Sequence, residues 1–116
     1  MTAFDESRYM PNLDVLTLTG WHLDYYTGVA LGYEMFEGHP FTPTTSGGDL
    51  GVVLERMTTI LQMGPGRWQA RVTGGNVFAP GLTVQVAVCR ALVRHVLGAT
   101  VPAIGGSVAD CEDLFA

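Results

Sequence analysis

The segment 83–97, TVQVAVCRALVRHVL, constrains this chain more than any other stretch. Thr83 is a good N-cap residue, no glycine or proline interrupts residues 84–97, and Gly98 closes the segment, which predicts a helix. Val84, Val88, Ala91, Leu92 and Val96 mark its buried side. Arg90 and Arg94 fall one turn apart on another stripe, with Val86 or Ala87 and Leu97 or Gly98. Like charges at that spacing repel by a few tenths of a kcal/mol. A partner or solvent has to offset them.

The remaining segments predict what this helix packs with. LDVLTL (13–18) alternates and predicts a short strand. Residues 20–31 repeat apolar side chains at three-to-four spacing after Thr19 and before Gly32, which predicts a second helix with Gly28 inside it. GHPFTPTTSGGDLG (38–51) reads as a loop. Residues 50–62 are β-branched and mostly alternate, with Arg56 on the Val52–Leu54–Thr58–Ile60 face. Both faces are largely apolar, which predicts a strand covered on both sides. MGPG (63–66) turns the chain into RWQARV (67–72), so the two form a hairpin. TGGNVFAPGLT (73–83) is a second glycine-rich loop, carrying Asn76 and Phe78, and an extended piece comes near 100–104. These readings predict one α+β domain over 13–104, a small antiparallel β-sheet packed with two α-helices. A loose N-terminal arm (1–12) precedes it and an acidic tail (105–116) ends the chain.

Composition removes several function classes. With 47% apolar and 15% charged residues the chain can build a core. No stretch approaches the roughly 18–20 apolar residues of a transmembrane helix, and the N-terminus has no signal-peptide pattern; a cytoplasmic protein is expected. The net charge of −5, with six arginines and no lysine, speaks against DNA or general nucleic-acid binding. Each arginine is then expected to have a specific partner, a carboxylate or a bound anion. Cys89 reads as a small buried hydrophobe. His22, His39 and His95 are scattered, so neither a metal nor a cofactor is expected.

Taken together, LTGWHLDYYTGVALGYE, FTPTTSGGDLG, VVLERM, WQARV and GLTVQVAVCRALVRHVLG, with Val101-Pro102 after them, resemble in order and spacing the small phage proteins of the NinX type. The resemblance covers about residues 16–103, and the 42–51 loop departs from the family pattern by lacking its tryptophan. That family is similar to the first-type Thoeris anti-defence proteins. The resemblance implies a phage protein that sequesters a cyclic ADP-ribose-type signal, or a cyclic oligonucleotide, without cleaving it. It also implies homo-oligomers that share pockets between subunits. It implies ligand contacts at Arg90 and Arg94 on the last helix, Arg56 on the preceding strand, and Asn76 and Phe78 on the intervening loop. Two arginines that repel would then be offset by phosphates, with Phe78, Trp21, Tyr25 or Tyr26 available to stack on a base.

Other readings stand beside this one. Arg90 can pair with Glu55 or Asp24 within its own subunit while Arg94 stays solvated. A small nucleotide hydrolase would use His95, or His22 with Asp24, as base. No nucleophile elbow, metal set or carboxylate dyad is visible, so no catalytic residue is assigned. A phage accessory protein acting through protein–protein contacts is the third class.

Overall fold

The computed structural model describes residues 12–35 and 41–103. Their element order is β1 (Asn12–Asp14), a 3-10 turn (Val15–Thr17), α1 (Gly20–Ala30), α2 (Gly47–Leu54), β2 (Met57–Gly64), β3 (Arg67–Val72), β4 (Ala79–Gly81), α3 (Val84–Leu97) and β5 (Thr100–Pro102). The fold is α+β, with two small antiparallel sheets, β2-β3-β4 and β1-β5. The expected N-terminal arm, apart from Asn12, and the acidic tail lie outside the described residues.

α3 is the middle layer. The three-stranded sheet packs on one side of it and α1 on another, so α1 meets α3 rather than the sheet. The expected α+β fold, a small antiparallel sheet packed with helices, is present, with α1 packed on α3. Ala87, Val88, Ala91, Leu92 and Val93 of α3 are buried, and so are Leu23 and Tyr26 of α1 and Ala70 and Val72 of β3. Thr83 caps α3 by accepting a hydrogen bond from the Val86 N–H at 3.2 Å. α1 ends in a Schellman motif: Gly32 takes φ +87, its N–H donates to Val29 O, and the Tyr33 N–H donates to Gly28 O.

Three segments differ from their expected form. The 13–18 strand is only β1; Val15–Thr17 is a 3-10 turn, because the Asp14 carboxylate accepts from the Leu16 N–H and redirects the backbone. Residues 47–54, read as loop and strand, are a helix. Their glycines and valines disfavour helix, but Ser46 caps them by accepting from Asp49 N–H, and Leu50 and Val53 turn one face into the core. The strand therefore starts at Met57. Ala79–Gly81, read as loop, is a third strand on the sheet edge, where Pro80 is tolerated.

β2 is not covered on both sides. It forms the opposite sheet edge, and Ile60, Leu61 and Met63 are exposed. Gly64 faces Arg67 across a two-residue turn with Gly66 at φ +66.

Asp24 on α1 is buried, 6% exposed. It accepts from the Thr44 N–H at 2.9 Å and the Thr44 hydroxyl at 3.0 Å, tying the 41–46 turn to α1. Burial pushes its carboxyl above the ordinary value of 3.8; the Thr44 bonds oppose this and nearby Asp49 adds to it. The folded protein therefore binds this proton more readily than the unfolded chain does. The stability linked to Asp24 is fully present below pH 3.8 and is lost as pH rises through the raised folded value. Asparagine keeps both bonds, accepting from the Thr44 N–H and donating to its hydroxyl, without a buried charge. Asp24→Asn is expected to match or exceed wild-type stability at pH 7, with the gap closing in acid. Urea melts at pH 7 and 4 check this; a loss above about 1 kcal/mol at pH 7, on the scale of one hydrogen bond, counts against it.

Candidate functional site

The segment after β3 shapes the site. The Gly75 N–H donates to Val72 O at 2.8 Å, closing a turn in which Gly74 takes φ +86. The Thr73 N–H donates to Arg56 O at 2.9 Å, so the end of α2 anchors the start of the loop. The loop then runs over the C-terminal half of α3. Between them lies a cavity of about 220 Å³. Val72, Val77 and Ala91 supply its apolar lining, and Gly74, Gly75, Asn76, Arg94 and His95 supply the rest. No carboxylate among the described residues lines it.

The expected site residues separate. Arg94 and Asn76 meet at this cavity. Arg94 forms no hydrogen bond or ion pair through its side chain among the described residues. Arg56 does not line the cavity; it sits exposed between α2 and β2, not within a strand, with only its backbone joined to the loop.

Phe78 is outside the cavity. Its ring lies over the Arg71 guanidinium, 5.2 Å from Cζ to centroid. Arg71 in turn donates to the Thr59 hydroxyl at 3.3 Å, across the β2–β3 pair.

Arg90 does not line the cavity, and two of its donors are committed to backbone carbonyls. Its Nε–H donates to Leu18 O at 2.9 Å and its Nη1–H to Pro80 O at 2.9 Å. Burial lowers its pKa, with Asp14 acting the other way. The partners are two backbone carbonyls rather than Glu55 or Asp24; the Asp24 oxygens hold Thr44. The like-charge problem on α3 is thus met by anchoring one arginine to carbonyl dipoles while its neighbour faces a cavity.

The hydrolase pair His22–Asp24 does not assemble. The His22 ring stacks on Trp21 at 4.2 Å, and the Asp24 carboxylate is committed to Thr44. Tyr26, considered for stacking, is buried and its hydroxyl donates to Pro102 O. Trp21 is exposed on α1, away from the cavity lining. Tyr25 packs edge-on to Tyr26. Cys89 is buried, and burial pushes its thiol up to about 12, which keeps it a thiol.

His95 is the residue that sequence reasoning did not place with Arg94. Adjacent helix positions point about 100° apart, but the 73–77 loop spans both. The glycine pair in TGGN was the signal, since a turn that tight lets backbone close over a helix. Among the described residues no group of three or more His, Cys, Asp or Glu is placed to hold a metal, and no helix is long and apolar enough to cross a membrane. No protein-family model and no curated protein sequence matches the chain.

Proposed function

We propose that this protein binds a small phosphate-bearing nucleotide, of the cyclic ADP-ribose or cyclic oligonucleotide class, and sequesters it intact as a phage anti-defence factor acting in the host cytoplasm. The observation that supports this reading is the cavity shared by Arg94 and Asn76, from two separate elements, with no carboxylate among the described residues lining it. A guanidinium without a partner among the described residues, in a protein of net charge −5, is suited to an anion. Arg90, Arg56 and Phe78 are not needed for binding in this reading, which narrows the set implied by the resemblance.

The test is incubation with a mixed nucleotide pool, then washing, heating and analysis of what is released. Intact cyclic nucleotide is the expected product. A ligand at 100 times its Kd stabilises the folded form by about 2.7 kcal/mol, roughly a 10 °C rise in Tm for a domain of this size. Arg94→Ala is expected to weaken binding by about 1.5–3 kcal/mol while changing unliganded stability by less than about 0.5 kcal/mol. No release and no thermal shift across cyclic ADP-ribose isomers and cyclic di- and trinucleotides would sink the reading.

A hydrolase reading has one observation in its favour, His95 at the same cavity; altered nucleotide in the released fraction would establish it.

Self-association belongs to the proposal. A cavity of about 220 Å³ is smaller than the roughly 300–1,000 Å³ of sites that enclose a drug-sized ligand. β2 adds an uncharged strand edge with Ile60, Leu61 and Met63 exposed, the kind of edge that natural proteins protect or pair. Sedimentation is expected to show an oligomer at micromolar concentration, and Leu61→Lys is expected to shift it toward monomer. A wild-type species of 12.4 kDa throughout the concentration range would contradict this part.

A further inference from the structure

The cavity holds a second polar side chain, seated close to a glycine. His95 lies beside Arg94 in the last turn of α3, and both line the cavity. A Cβ built on Gly75 would sit 3.1 Å from His95 Nδ1, 3.2 Å from Val72 O and 3.7 Å from His95 Cε1. The imidazole edge thus lies close to Gly75, where there is no side chain to hold it off. The Val72 carbonyl is fixed by the Gly75 N–H, so the backbone has little freedom to yield. The side chain of His95, like that of Arg94, forms no hydrogen bond or ion pair among the described residues.

We propose that the Arg94–His95 cavity is a phosphoryl-group subsite, in which His95 is a second ligand contact and Gly75 is the positioning residue that seats it. The inference rests on the nucleotide-binding reading and specifies which part of the ligand enters. The guanidinium supplies a planar fork of donors and the imidazole an N–H donor. Together they suit a compact group with several acceptor oxygens. At about 220 Å³ the cavity accommodates such a head group, and the base of a nucleotide remains outside. Asn76 adds an amide that can donate to the same group.

A structural alternative exists for both side chains. Arg94 and His95 occupy the last turn of α3, where positive charge is favoured by the helix dipole. In that case His95 would affect stability and leave anion binding untouched. Titration with inorganic pyrophosphate, monitored by calorimetry and by the ring ¹⁵N and ¹H signals of His95, separates the two.

The expected result is binding by the wild type with a shift of the His95 ring signals. Arg94→Ala should lose binding, and His95→Gln should bind at least tenfold more weakly with a Tm close to wild type. Gly75→Ala should bind at least tenfold more weakly because the ring is displaced. If pyrophosphate binds in an Arg94-dependent way but His95→Gln binds like wild type and its ring signals stay fixed, the His95 assignment fails while the nucleotide reading stands. If the wild type takes up intact cyclic nucleotide but not pyrophosphate, the phosphoryl subsite is overturned and the broader reading stands. If it takes up neither, both fall.

Discussion

Arg90→Met is expected to destabilise the protein by about 3 kcal/mol, or roughly 12 °C in Tm, without abolishing a ligand-induced shift. The guanidinium bonds two carbonyls from distant segments, Leu18 before α1 and Pro80 in β4. Hydrogen bonds involving a charged group contribute about 1.5–3 kcal/mol each. Partial exposure lets water replace some of that, and relief of the Arg90–Arg94 repulsion returns a few tenths. For a domain of this size, 1 kcal/mol corresponds to about 4 °C. Arg90→Lys should recover only part of the loss, because one ammonium cannot reproduce a fork that reaches both carbonyls. Thermal melts of the two variants beside Arg94→Ala give the comparison. A melt of Arg90→Met within about 2 °C of wild type, less than 1 kcal/mol on this scale, would mean that the bridge contributes little.

Gly81→Ala is the second large effect, expected at about 3 kcal/mol or more, near the upper end for overpacking. A Cβ there would lie 2.5 Å from Ala87 N, 2.9 Å from Ala87 Cα and 2.9 Å from Thr83 O. All three are backbone atoms of α3 or its cap. No rotamer change makes room, so β4 must lift or α3 must shift. Gly28 is the contrasting case, since the nearest atoms a Cβ there would meet belong to the flexible Met35 thioether side chain, which can move aside. Gly28→Ala also gains roughly 1 kcal/mol of helix propensity. Denaturant titrations should place the two glycine variants several kcal/mol apart on the scale set by backbone overpacking; similar midpoints would show that the β4–α3 approach is soft.

What the sequence made legible depends on how local each signal is. Thr83 with Gly98, the Pro65-Gly66 turn and the Gly32 stop act within a few residues of the structure they specify, and α3, the hairpin and α1 formed as expected. α2 was hidden because its composition opposes its conformation. Only the Ser46–Asp49 cap and two buried side chains reveal it, and burial is not a local property. β4 was hidden because Pro80 and Gly81 read as loop residues. Gly81 is there because α3 comes within contact of it, which is a tertiary fact.

The site was half legible for a similar reason. Arg94 and Asn76 were joined only by the family resemblance, and both line the cavity. Arg90 could not be assigned, because a backbone carbonyl carries no sequence signature and its two acceptors belong to other segments of the chain. Phe78 and Val77 are neighbours, yet Val77 lines the cavity and Phe78 covers Arg71. Residue type alone did not decide which would turn inward.

The β1–β5 ladder joins Asn12 to Pro102 and Leu13 to Val101, with a consequence for the order of folding. Loop closure costs about 0.6 kcal/mol for each doubling of length. Bringing these strands together is therefore a few kcal/mol more demanding than closing the β2–β3 hairpin, on the same scaling. Val101 is buried and the Tyr26 hydroxyl holds the Pro102 carbonyl, so the ladder gains its support only after α1 has docked on α3. It should be the last piece to assemble and the first to open, with its amides exchanging with solvent sooner than those of β3. The two ends of the described chain thus act as a late-closing clasp around a helix and hairpin that are already in place.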